Sequence, residues 1–298
     1  MFEKTKQFCD SFLRMGVPCF DLAVYKDGKC VLRHMGGYTD ADKHTPINGD
    51  ERYYIYSCSK PITCVAAMQL WEKGLFSLQD KLSDYMPEFS EMTVNKNGAI
   101  TKAENPILIK HLFEMTAGFS YNLNSPSLIA CRKETENCCP TREVMKYLAK
   151  EPLLFEPGER WNYSLCHDVL AALVEVVSGQ RFEEYVKENI FIPLQMTNST
   201  FLLRENEKDT LCPLYKFDNG KDLIDQNKKN WFVIGSEYAS GGAGCVSTVD
   251  DYIKFLEALR TSEKILKPET LKLMTEPRLN DSQIETFTLK STHNYGLG

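Results

Sequence analysis

A hydroxyl and an amine with complementary chemistry lie three positions apart in the segment Ser57-Cys58-Ser59-Lys60-Pro61. Positions three apart share one face of a helix, so this spacing places the two groups side by side. Burial lowers the pKa of a lysine, and a neutral amine can then accept the proton of a serine nucleophile. The pattern predicts Ser57 as a nucleophile and Lys60 as its activating partner, although the same tetrapeptide also occurs by chance in many proteins.

The proline that follows indicates where the helix begins. Proline is tolerated only in the first helical turn, so Pro61 predicts a helix start near Ser57. Ser57 would then lie at a helix N-terminus, where the helix dipole and free N–H groups stabilise developing negative charge. The residues that follow, 62–71, are apolar almost all round, as expected of a buried central helix.

A second candidate for chemistry lies about a hundred residues further on, in the segment 157–164. Its tyrosine, Tyr163, comes just before a predicted helix, where a phenol could act as general base or proton relay. The alternative is an ordinary half-buried tyrosine. The five histidines and the cysteines show no metal-ligand spacing, so the sequence predicts neither a metal nor another cofactor.

The elements that must position these residues follow from periodicity and turn signals. Apolar spacing predicts a first helix over Phe2–Met15, and Asp27-Gly28 predicts a hairpin between strands Cys19–Tyr25 and Cys30–Gly37. Gly74 and Gly179 are predicted to end helices, and Thr248 to cap the helix Ser247–Leu259. The other predicted helices are Cys58–Lys73, Ile109–Met115, Thr141–Leu148, His167–Val177 and Phe182–Ile190. We therefore expect an α/β part from residues 1–57 and 236–298, with a mainly helical part, 58–235, inserted between them.

Composition narrows the class of protein. The chain has 298 residues, of which 43% are hydrophobic and 26% charged, as is typical of a globular protein. The net charge of −6 argues against a nucleic-acid partner, and no apolar run is long enough to predict a membrane span. Eleven cysteines without a visible signal peptide predict a cytoplasmic protein with free thiols.

The two candidate segments, in this order, resemble the serine β-lactamase-like and penicillin-recognising hydrolases. The resemblance is closest to the branch of class C β-lactamases, D-alanyl-D-alanine carboxypeptidases and family VIII esterases. It runs from about residue 15 to the end of the chain. Four further segments are similar to segments of this family: 73–82, 85–89, 109–118 (IKHLFEMTAG) and 241–251, which contains a glycine-rich turn before a helix.

The resemblance implies a mixed α/β fold with an antiparallel sheet flanked by helices and a large helical insertion. It also implies that Ser57 is the nucleophile, Lys60 its activating partner and Tyr163 the tyrosine of the second motif. The expected reaction is acylation of Ser57 by a small ester, amide or β-lactam, followed by hydrolysis. No cofactor is implied.

Two departures from the family pattern refine these expectations. The lactamases carry Tyr-x-Asn at the second motif, whereas this chain has Tyr163-Ser164-Leu165, which favours the esterase-type members. The third motif of the family, with its oxyanion donor, would lie on a strand beyond Gly298. We therefore expect either a fragment of a longer protein, which we favour, or a degenerate member, and the activity of the 298-residue chain alone is left open. The alternative functions are a β-lactamase or D,D-carboxypeptidase, and a non-catalytic member of the same fold.

Overall fold

The computed structural model describes residues 2–298 except 41, 43, 219–221, 226–227, 263 and 290–292. The described chain combines helices with short antiparallel strands, so the predicted mixed α/β class is confirmed. In chain order the elements are α1 (Glu3–Arg14), β1 (Cys19–Lys26), β2 (Lys29–Gly37), β3 (Tyr53–Tyr54), α2 (Ser59–Glu72), β4 (Thr93–Lys96), β5 (Ala99–Lys102), α3 (Ile109–Phe113), α4 (Pro126–Glu134), α5 (Thr141–Leu148), α6 (Cys166–Ser178), α7 (Phe182–Val186), β6 (Tyr215–Asp218), β7 (Asp222–Asp225), β8 (Val246–Ser247), α8 (Val249–Thr261), α9 (Pro268–Thr275) and α10 (Asp281–Thr286).

The strands of the described residues pair as four separate antiparallel ladders, β1 with β2, β3 with β8, β4 with β5, and β6 with β7. The hairpin predicted at Asp27-Gly28 is confirmed by the pairing of β1 with β2. The short ladder between β3 and β8 has a consequence for function, because it joins distant parts of the chain. It pairs Tyr53 with Ser247 and thereby brings the segment before Ser57 next to the segment that follows the glycine-rich turn 241–244.

Helix α2 forms the centre of the hydrophobic core, as its apolar sequence predicts. Ten of its residues are buried, and it packs against α6. Burial on nearly all sides fixes the helix axis, since removing apolar side chains from water stabilises the fold by about 25 cal/mol per Å². The residues at the start of α2 therefore have a rigid support. The proposed division into an α/β part and a helical part stays a prediction.

Two predicted helix ends are confirmed, and one helix was not predicted. Gly179 ends α6 in the left-handed conformation, with φ of 71°, and the Thr248 side chain accepts a hydrogen bond from the backbone N–H of Asp251 at the start of α8. The missed helix is α4, which begins at Pro126. No helix was predicted over this segment, although proline is favoured at the first position of a helix.

Helix α3 carries a buried histidine that should make stability depend on pH. His111 is buried, and its Nδ1 accepts a hydrogen bond from the N–H of Leu108 at 3.2 Å. Burial, assisted by the charge of Lys110, lowers the pKa of His111 to about 4. The folded state thus prefers the neutral ring, so stability from this group is complete above pH ~6.5 and is lost as the pH falls towards 4.

We expect His111→Gln to flatten the acid-side decline of the free energy of unfolding, by up to about 3 kcal/mol between pH 6.5 and 4. Glutamine at this third helical position can still accept from the cap N–H but does not titrate. Urea unfolding across this pH range measures the effect, with the exposed His44→Gln as control. Burial raises the pKa of Glu114 to about 7, which makes stability increase as the pH falls. This opposite effect is common to the unaltered protein and both variants. A decline as steep in His111→Gln as in the unaltered protein would contradict the assignment.

Candidate active site

A sharp backbone turn presents Ser57 at the start of α2. Tyr56 has a φ of 44°, in the left-handed region that a bulky side chain rarely adopts. It opens a short 3₁₀ turn, Tyr56–Cys58, that leads from β3 directly into α2. Ser57 is exposed, whereas Lys60, one turn later, is only 5% exposed. Residues with a strained backbone cluster at functional sites, and here such a residue lies beside an exposed serine.

The three residues singled out from the sequence meet at one point. The Nζ atom of Lys60 lies 3.3 Å from the Oγ atom of Ser57. The hydroxyl of Tyr163 lies 2.5 Å from the same Oγ atom, although 106 residues separate Tyr163 from Ser57. The structure therefore brings these three side chains together. Their catalytic roles stay a proposal.

Backbone contacts to the glycine-rich turn hold the Lys60 amine in place. Its Nζ atom donates a hydrogen bond to the carbonyl oxygen of Gly242 at 2.5 Å. The same nitrogen lies 4.6 Å from the centre of the Tyr163 ring and 5.8 Å from that of Tyr121. The amine is thus enclosed by aromatic faces and one carbonyl, with the Ser57 hydroxyl on its remaining side.

The loop that carries Tyr163 is bonded to the segment after α3. The N–H of Asn162 donates to the carbonyl of Met115 at 2.9 Å, and the Asn162 side-chain amide donates to the carbonyl of Phe119 at 2.9 Å. The N–H of Leu165 donates to the carbonyl of Ser120. These hydrogen bonds lie on both sides of Tyr163 along the chain. They therefore hold in place the backbone that positions the Tyr163 ring.

Aromatic rings from distant segments pack together with Tyr163 and were not predicted as site residues. Tyr121 stacks on Tyr163 with ring centres 5.6 Å apart. Phe232 contacts Tyr121 and Tyr56, at 6.0 Å and 5.5 Å between ring centres. The neighbouring Trp231 is 57% exposed and so is not part of the core. No spacing in the sequence marks these rings, because they come from three separate segments.

A cysteine and a histidine lie in contact beneath the site, but they are not a second nucleophilic pair. The Sγ atom of Cys64 lies 3.6 Å from Nε2 of His167, and both residues are fully buried. Burial raises the pKa of the Cys64 thiol well above its usual range and lowers that of His167 to about 3. Both groups are therefore neutral at neutral pH, and neither a thiolate nor an imidazolium forms there.

All eleven cysteines carry free thiols. Within the described ranges, no group of three or more His, Cys, Asp or Glu side chains is arranged to hold a metal ion. Across the same part of the chain, no helix is both long enough and apolar enough to cross a membrane.

Comparison with known proteins assigns the family. The Beta-lactamase family model matches residues 9–298, so the chain belongs to the β-lactamase family. Esterase EstB of Burkholderia gladioli is 28% identical over 269 residues, which cover 83% of this chain and 67% of that protein. The lovastatin esterase of Penicillium rubens is 29% identical over 257 residues, covering 78% of this chain and 61% of its own length.

Solved structures support the same fold. The structure of EstCE1, described as a hydrolase with promiscuous acyltransferase activity, is 25% identical to this chain and has a TM-score of 0.75. The match covers 99% of this chain and 81% of that one. The β-lactamase/transpeptidase-like fold implied by the sequence resemblance is thus confirmed.

Proposed function

We propose that the protein is a serine hydrolase that cleaves small carboxylic esters through an acyl-Ser57 intermediate. The observation that carries the proposal is the convergence of the Lys60 amine and the Tyr163 hydroxyl on the Oγ atom of Ser57, at 3.3 Å and 2.5 Å. A nucleophile within reach of two groups that can take up and return its proton is the arrangement that covalent catalysis requires. The esterases among the relatives, EstB and lovastatin esterase, support the choice of reaction.

In the proposed acylation step, Ser57 Oγ attacks the ester carbonyl carbon while its proton passes to the Lys60–Tyr163 pair. The C–O bond to the alcohol then breaks, and the pair returns the proton to the departing alkoxide. The backbone N–H of Ser57, at the start of the helical segment, would donate to the oxyanion of the tetrahedral intermediate. Water attacks the acyl-Ser57 carbonyl in the second step, releasing the carboxylic acid and restoring the serine hydroxyl.

Two features favour esters over β-lactams. Leu165 stands where the lactamases carry asparagine, and its apolar side chain is only 2% exposed, so this position offers no amide to a lactam side chain. The rings of Tyr56, Tyr121 and Phe232 give the approach to Ser57 an apolar character. Apolar walls with a few convergent polar groups are typical of sites for small organic substrates.

The test compares p-nitrophenyl acetate and butyrate with the β-lactam nitrocefin. We expect rapid ester hydrolysis and, on rapid mixing with the acetate, an adduct with the mass of one acetyl group on the peptide that contains Ser57. Nitrocefin should be turned over far more slowly. Faster turnover of nitrocefin would support the alternative, a β-lactamase or D,D-carboxypeptidase. The absence of any acyl adduct with either substrate class would contradict an acyl-Ser57 mechanism and favour a non-catalytic member of the family.

A further inference from the structure

A carboxylate lies buried in the core immediately behind the candidate site. Asp168, in the first turn of α6, is 1% exposed, and no Lys or Arg forms an ion pair with it in the described part of the chain. A buried carboxylate is costly unless hydrogen bonds compensate for the lost hydration. Burial raises the pKa of Asp168, while hydrogen bonds, chiefly from Ser240, and the charge of Lys60 lower it. A carboxylate in such a place calls for an explanation.

The compensating hydrogen bonds come from residues that flank and begin the glycine-rich turn. The Oδ1 atom of Asp168 accepts from the Tyr238 hydroxyl at 2.8 Å and from Ser240 Oγ at 2.6 Å. Ser240 Oγ in turn accepts from the N–H of Ala243 at 3.1 Å, and the Ser240 carbonyl accepts from the N–H of Gly244 at 2.8 Å. A single carboxylate oxygen therefore holds the start of the turn, and Ser240 connects it to the end.

The other carboxylate oxygen determines how closely the turn can approach. A Cβ atom added to Gly242 would lie 2.5 Å from Asp168 Oδ2, closer than real carbon–oxygen contacts allow. A Cβ added to Gly241 would lie 2.4 Å from the carbonyl oxygen of His167. Glycine at both positions thus lets the turn lie directly against the first turn of α6.

On its opposite side the turn contacts the nucleophile helix. The carbonyl of Gly242 accepts from Lys60 Nζ at 2.5 Å, and the carbonyl of Gly241 accepts from Thr63 Oγ1 at 2.7 Å. The N–H of Cys245 donates to Ser59 Oγ at 3.0 Å. The position of the turn therefore fixes the position of the amine that faces Ser57.

From this chain of contacts we propose that Asp168 is a positioning residue of the candidate site. Through Tyr238 and Ser240 it fixes the turn 241–244, so that the Gly242 carbonyl holds the Lys60 amine against Ser57 Oγ. The inference rests on the proposed function, because it assigns Lys60 the role of activating Ser57. A displacement of reacting groups by about 1 Å can cost about 10²-fold in rate.

The test uses Asp168→Asn and Tyr238→Phe, with Asp251→Asn as a matched control. Asp251 is also 1% exposed and accepts hydrogen bonds from the N–H of Asn198, Ser199 Oγ and Lys254 Nζ, but it lies in α8, and no hydrogen bond joins it to the turn among the described residues. We expect the first two variants to lower kcat for p-nitrophenyl butyrate by about 10- to 100-fold with KM nearly unchanged. Labelling of Ser57 by a fluorophosphonate should slow in parallel. Asp251→Asn should lower the melting temperature yet retain kcat and the labelling rate.

The outcomes separate this inference from the proposed function. If hydrolysis requires Ser57 but Asp168→Asn and Tyr238→Phe keep full kcat, or change kcat only as much as Asp251→Asn does, the positioning role is overturned and the proposed function stands. Should Asp168→Asn fail to fold, Tyr238→Phe decides the question alone, since it removes one hydroxyl and no charge. If the unaltered protein shows no hydrolysis that depends on Ser57, the proposed function fails first.

Discussion

Replacing Ser57 by alanine should reduce ester hydrolysis by about 10⁴- to 10⁶-fold. The expectation follows from covalent catalysis, because no other exposed hydroxyl lies within reach of both Lys60 and Tyr163 in the described residues. The variant should fold normally, since Ser57 is exposed and, among the described residues, its hydroxyl forms hydrogen bonds only with these two side chains. Steady-state kinetics with p-nitrophenyl acetate, measured on the unaltered protein and the variant, test the prediction.

Fluorophosphonate labelling provides an independent readout of the same residue. The unaltered protein should be labelled at Ser57, and Ser57→Ala should lose the label. Ser90→Ala is the matched control, since Ser90 is also exposed but lies at the end of a separate 3₁₀ turn, Pro87–Phe89. It should retain both the label and the rate. A fully active Ser57→Ala variant, or labelling that persists in it, would show that another residue is the nucleophile.

Replacing Lys60 by methionine should lower kcat/KM by about 10²- to 10⁴-fold, the usual contribution of a general base. Methionine keeps much of the length and apolar character of the buried side chain but cannot accept the Ser57 proton or bind the Gly242 carbonyl. Ser57 is still present in this variant, so fluorophosphonate labelling should slow rather than disappear. Rates of labelling and of ester hydrolysis should fall together.

Lys73→Met serves as the control for this change. Lys73 follows the last residue of α2, so the same substitution is made at the other end of the same helix. We expect its kinetic constants to match those of the unaltered protein. Because Lys60 is buried, the melting temperature of Lys60→Met should be recorded as well. Wild-type kcat/KM in a folded Lys60→Met protein would exclude the amine from the reaction.

Local rules in the sequence determined the features that depend on residues within one helical turn or one hairpin. The spacing of Ser57 and Lys60 places both on one face, and Pro61 marks the start of α2. Asp27-Gly28 specifies the first hairpin, and Thr248 caps α8 through the N–H of Asp251. These interactions involve neighbours a few residues apart, so their geometry follows from backbone dihedrals alone.

Family resemblance linked Tyr163 to the same site as Ser57, which local rules could not do. Its hydroxyl reaches Ser57 across 106 residues only because the segments around Met115 and Ser120 bond the Tyr163 loop beside α2. No periodicity encodes such a distance. The proximity of Tyr163 to Ser57 thus depends on a motif match and on tertiary hydrogen bonds together.

Tertiary structure alone decided the surroundings that tune the site. The Gly242 carbonyl meets Lys60 across 182 residues, and Asp168 lies buried behind the turn that carries it. Tyr56, in its left-handed conformation, lies between β3, which pairs with β8, and α2, which is packed in the core. Tertiary packing also makes Phe232 and Tyr121 neighbours. Packing, which buries apolar surface without regard to sequence distance, creates these contacts, and so they were not predicted from sequence spacing.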